Sequence, residues 1–181
     1  ACSDFLQSGN MYGYAYCLFL KGEIAEAEKI LNGIRDINPF VNWLLALISI
    51  INGCKKDFPS YFQVRNFYEQ DMNMLIKYKN FDFAEEILKN TDYLAQFNRE
   101  IYKYSARVFM DNEEYEKAVI FLKESISLYY NDPESHFMLA DAYYASGFKK
   151  KAAEEYKKSD AVSGGYQPAQ KKLKELEENR L

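Results

Sequence analysis

"GFKKKAAEEYKKS", Gly147–Ser159, sets Ala152, Tyr156 and Ser159 at spacings of four and three, which is one stripe of a helix. A glycine, Gly147, stands five residues before Ala152. The same face returns upstream as Ala118, Leu122 and Ser125, and again as Ala84, Leu88 and Thr91. Ala84, Ala118 and Ala152 are 34 residues apart at each step. Their surroundings move with them. Leu75, Phe109 and Tyr143 lie nine residues before each Ala, and Met72, Ala106 and Ala140 lie twelve before. Phe81 and Tyr115 fill the place three before, which Lys149 takes in the last unit with Phe148 displaced by one.

A fixed period of this length marks a repeat architecture, and the internal spacings make each unit helical. Two amphipathic helices face each other, a small residue in each lets the backbones approach, and large side chains fill the gaps. One such hairpin cannot bury its apolar face, so units must stack. The expected fold class is an all-α solenoid.

The pattern resembles the tetratricopeptide repeat. In the first unit Met11, Tyr14–Ala15, Leu18, Gly22, Ala27, Leu31, Ile34 and Pro39 fall on its places. His136, Leu139–Ala140, Tyr143, Gly147, Ala152 and Tyr156 do so in the last unit, and Tyr102 to Ser125 matches as a third. Ala takes the place of the usual Gly in these three units. The resemblance covers about 150 residues. It implies a right-handed α-α superhelix of antiparallel helix pairs, with about ten helices in one domain over residues 1–181. The units would be approximately 8–39, 40–64, 65–98, 99–132 and 133–164, with a capping helix over 167–181.

One interval departs from the period. Ala27 to Ala84 is 57 residues, so 11 are missing from two full units. A helix beginning at Trp43 after Pro39 should end at "INGC". Beyond it, Tyr61, Val64, Tyr68, Met72 and Leu75 predict one helix of about twenty residues starting at Pro59. The second unit, irregular over 40–64, would then carry a shortened or fused second helix. At the other end, a turn at Gly164–Gly165 precedes a charged helix with Ala169, Leu173 and Leu176 on one side. Lys174 stands where a further repeat would need a small residue, as suits a cap with a polar outer face.

Composition narrows the function. The 181 residues are 48% hydrophobic and carry a net charge of -4, without the clustered basic surface of a nucleic-acid reader. Sixteen Tyr and 13 Phe supply surfaces that are apolar with a polar tip. Cys2, Cys17 and Cys54 have neither disulfide-framework nor zinc spacing. The most apolar run, Val41–Ile51, is too short to span a membrane and reads as a buried helix. These features favour a soluble cytoplasmic chain, while Ala1–Cys2–Ser3 keeps a secreted or lipid-anchored form open.

Catalysis finds little to use. His136 is the single histidine and occupies a packing-aromatic place. Phosphate-loop, nucleophile-elbow and zinc-helix motifs are missing from the sequence. The pairs Glu85–Glu86, Glu113–Glu114 and Glu154–Glu155, and the run Lys149–Lys151, read as solvated helix faces. No enzyme, cofactor or metal is expected.

What the resemblance implies is a concave groove lined by the first helix of each pair. Its slots are Tyr12, Tyr16 and Phe19; Leu44, Ile48 and Ile51; Glu69, Asn73 and Ile76. Lys103, Arg107 and Met110, then Phe137, Asp141 and Tyr144, complete it. The apolar end would take a helix or hydrophobic residues of another protein, and Lys103 with Arg107 an acidic group. The carboxylate clamp of co-chaperone relatives is incomplete, because its first places hold Tyr12 and Tyr16. The alternative is structural: the apolar N-terminal helices form a homodimer interface or a covered core.

Overall fold

The computed structural model describes residues 2–34 and 39–178. Within them are twelve helices and no strand. The chain divides into two compact units, Ala1–Asn98 and Arg99–Leu181. The first holds α1 (Cys2–Gln7), α2 (Met11–Leu20), α3 (Ile24–Gly33), α4 (Pro39–Ile51), α5 (Tyr61–Lys77), α6 (Phe81–Lys89) and α7 (Thr91–Leu94). The second holds α8 (Ile101–Asp111), α9 (Tyr115–Leu128), α10 (Pro133–Ala145), α11 (Lys149–Ser163) and α12 (Gln167–Glu178).

Consecutive helices pack in pairs: α2 on α3 and α5 on α6 in the first unit, α8 on α9 and α10 on α11 in the second. The α12 helix packs on α11, and Ala169 joins Ala140, Ala152 and Tyr156 in a small core that Leu173 and Leu176 flank. Ala27, Ala118 and Ala152 are all 0% exposed, as close helix approach demands. The hydroxyl series at the far end of the stripe is buried as well. Thr91 Oγ1 donates to the Leu88 carbonyl, Ser159 Oγ donates to the Pro133 carbonyl, and Ser125 shares a bond with Ser135. Ser125 and Ser159 each bond across to α10, whereas Thr91 bonds locally to the turn before it.

Every pair turns in the same way. Gly22, Lys79, Glu113 and Gly147 sit mid-turn with φ of 86, 64, 60 and 84°. In each turn the next amide reaches back five residues: Glu23 to Leu18, Asn80 to Leu75, Glu114 to Phe109, Phe148 to Tyr143. This is the Schellman closure, which satisfies terminal carbonyls and reverses the chain within three residues.

That closure also locates the 11-residue deficit. After α4, Gly53 has φ 70° and the Cys54 amide reaches back to Ser49, as in the other turns. No second helix follows: residues 55–60 run without helix to α5. A separate shortened helix is therefore absent, and the fused alternative takes the form of α5, which runs unbroken from Tyr61 across the boundary between the second and third units. The α5 helix has 17 residues, not about twenty, because Ser60 and Gln63 form a capping box that starts it at Tyr61. The α4 helix begins at Pro39, four residues before the expected Trp43, since proline suits the first helical position. With its own pair helix missing, α4 is enclosed by α3, α5 and α6. Trp43 through Ile50 are all 0 to 1% exposed. An all-round apolar helix belongs in such a place.

Candidate functional site

The first-unit slots separate into two groups. Tyr12 and Tyr16 on α2 are half-buried and line a cavity of about 370 Å³. Phe19, Leu44 and Ile48 are fully buried and belong to the core, so they offer a partner no surface. The groove register read from the sequence is corrected here. Enclosing α4 on three sides turns its expected groove face inward, and Phe40 and Trp43 line the cavity in place of Leu44 and Ile48. From α5 come Asn66, Phe67, Gln70 and Asp71. Ile51, Glu69, Asn73 and Ile76 are half-buried, and Glu69 and Asn73 already interact within the protein.

The cavity wall is a chain of ring contacts. Tyr16 stacks on Tyr12 with centroids 6.2 Å apart, and Tyr12 meets Phe40 at 5.9 Å. Phe40 meets Phe67 at 4.7 Å, and Phe67 meets Trp43 at 6.5 Å. Asp71, 7% exposed, is the carboxylate among these rings. Its Oδ1 accepts the Tyr16 hydroxyl at 2.5 Å and its Oδ2 accepts the Trp43 indole N–H at 2.6 Å. Burial pushes the Asp71 carboxyl above its ordinary range, against the pull of these two bonds. Burial and the Asp71 charge together raise the Tyr12 and Tyr16 hydroxyls. The signal that could have found Asp71 is the lone Trp43, whose buried N–H needs an acceptor.

In the second unit the expected cationic slots are taken internally. Lys103, 7% exposed, bonds Glu134 at 2.9 Å and Asp132 at 3.1 Å, with Glu100 at 3.6 Å. Arg107 also pairs with Glu134. The expected acidic-group site is thus filled by the protein's own carboxylates. Phe137 packs on Tyr156 and Tyr166, and Asp141 accepts the Tyr156 hydroxyl. Met110 is half-buried. Tyr144 is exposed and borders a small cleft with Leu173 and Leu176.

His136 is buried, with Nδ1 2.8 Å from Glu155 Oε2 and Nε2 donating to the Tyr130 carbonyl at 2.9 Å. Tyr130 packs edge-on against the ring. Both nitrogens are occupied by structural bonds. Among the described residues no group of His, Cys, Asp and Glu could hold a metal ion, and no helix is long and apolar enough to cross a membrane.

No family model matches the chain, and no curated protein does. Among solved structures, it is similar to MamA 41-end from Desulfovibrio magneticus RS-1, at 12% identity and a TM-score of 0.48. A MamA RS-1 ArsTM double mutant is similar at 12% identity and a TM-score of 0.47. Each match covers 95% of this chain and 84% of the other.

Proposed function

We propose that this chain is a non-catalytic protein-interaction module that takes a peptide or helix of another protein on the face built by α2, α4 and α5. The observation that carries this reading is the open cavity lined by Tyr12, Tyr16, Phe40, Trp43 and Phe67. Aromatic side chains bury much area at low entropic cost, and recesses of this kind anchor protein contacts. The repeat architecture supports it, since stacked helix pairs present extended surfaces rather than reactive centres. Self-association through α4 is the weaker alternative, because that helix is already covered.

Capture experiments test the reading. The chain as bait should retain a partner from its native source, and Tyr12→Glu or Phe40→Glu should lose that partner while still folding, as circular dichroism would show. Retention of the same partner by both folded variants would place docking elsewhere.

A further inference from the structure

The cavity between α2, α4 and α5 has a chemistry more specific than an apolar recess. The rings of Tyr12, Tyr16, Phe40 and Phe67 surround the opening, with Trp43 and the Asp71 carboxylate nearly covered at its base. Tyr16 and Trp43 each donate one hydrogen bond to Asp71, yet both donors are neutral, so the charge is solvated but not cancelled. The hydrogen bonds that Asp71 is seen to accept come from these two neutral groups. Each oxygen keeps a further lone pair, because a carboxylate offers about four acceptor positions. Nearly desolvated negative charge beside aromatic faces is the environment that attracts an organic cation over a neutral group of equal shape. At about 370 Å³ the cavity lies within the size range of ligand pockets.

We propose that Tyr12, Tyr16, Phe40, Trp43, Phe67 and Asp71 form a recognition site for an alkylammonium group. The rings contact the carbons next to nitrogen, and the Asp71 carboxylate faces the charge. Such a group is borne by a lysine side chain, plain or methylated, or by a free amine. Only the lysine source rests on the docking function proposed above.

Trp43 is the chain's single tryptophan and lines the cavity, so its fluorescence and indole N–H resonance report on occupancy. The test titrates choline and its neutral isostere, in which a tert-butyl group replaces trimethylammonium, against the whole chain. Choline should saturate both signals, and the isostere should bind at least about tenfold more weakly. Asp71→Asn should erase that preference. Its amide oxygen can still accept from Trp43 and its NH₂ can donate to the Tyr16 oxygen, so the fold is kept. Phe40→Leu, at the rim, should weaken choline several-fold and guards against a folding defect in the first variant. Equal affinity for the two probes, no saturation by choline, or unchanged preference in folded Asp71→Asn would overturn the proposal. Lysine-containing peptides that bind more tightly than n-butylammonium would assign the source to a polypeptide, and equal affinity would assign it to a free amine. Choline binding without any peptide capture would sink the docking function and leave the ammonium site standing.

Discussion

Tyr16 and Asp71, 55 residues apart, meet in a 2.5 Å hydrogen bond inside the aromatic cavity. The contact joins α2 to α5 and, through Trp43, to α4. It also costs something. A carboxylate moved out of water loses hydration that two neutral donors do not fully replace, and its raised pKa expresses that deficit.

The sign of the pH effect follows. A carboxyl whose folded pKa lies above the unfolded value, about 3.9, favours the fold most when protonated. Its contribution is complete below that unfolded value and is lost as pH rises through the folded one. Asp71→Asn removes this loss. Relative to the parent, the variant should be more stable at pH 7 than at pH 4. Urea unfolding of both chains at the two values checks it, and the opposite ordering would mean the Tyr16 and Trp43 bonds outweigh burial.

Lys103 gives a prediction of opposite sense. Burial lowers its pKa, but hydrogen bonds to Glu134 and Asp132 raise it by more. The same contacts, with Ser135 on Asp132 and Arg107 on Glu134, outweigh burial and hold both carboxyls below their ordinary range. Depressed carboxyls stabilise the fold above the unfolded pKa and lose that contribution as pH falls through the folded one. Lys103→Met should therefore cost about 1–3 kcal/mol at pH 7, less than for a fully buried pair because the partners are partly exposed, and less again at pH 3. Chemical denaturation at both values measures it. With Lys103 and Arg107 already paired, an acidic peptide ending in Glu-Glu-Val-Asp should show no salt-sensitive binding, which calorimetry would check.

The α4 helix separates core from surface. Ile48→Glu buries an unpaired charge in a fully enclosed site and should cost several kcal/mol, about 3 or more. Phe62→Glu, at a position 67% exposed, should change stability by about 0.5 kcal/mol or less. Thermal melts of the two single variants test the contrast. If Ile48→Glu melted with the parent, α4 would have an open face after all.

These cases show what one sequence can carry. The 34-residue step was legible because the alanines at 84, 118 and 152 are all buried and each answers a local demand for close helix approach. The cavity was half legible: Tyr12 and Tyr16 lie on a predictable face of α2, but Asp71 matters only because the chain brings Trp43 and Tyr16 to it. Lys103 looked available because its partners Asp132 and Glu134 sit 29 and 31 residues away. Leu44 and Ile48 were misplaced for a similar reason. The missing second helix leaves α4 to be enclosed by α3, α5 and α6, an arrangement that spacing alone does not encode.

Lys79 and Glu113 hold left-handed backbone at φ 64 and 60°, where Gly22 and Gly147 stand in the matching turns. A side chain in that region crowds its own carbonyl, a strain of about 1–2 kcal/mol, whereas glycine adopts it freely but gives up more chain entropy on folding. Strain and entropy oppose each other, so the gain from Lys79→Gly or Glu113→Gly should be about 0.5–1 kcal/mol each rather than the full strain. The reverse change, Gly147→Ala, should cost about 1 kcal/mol. An added Cβ there meets no atom within 4 Å, so the loss would come from backbone conformation and not from a clash. Lys79 and Glu113 lie in different turns with no shared partner, so their gains should add in the double variant. Urea unfolding of the four variants beside the parent decides it. Destabilisation by both glycine variants would mean that the Lys79 and Glu113 side chains stabilise their turns by more than the backbone strain costs.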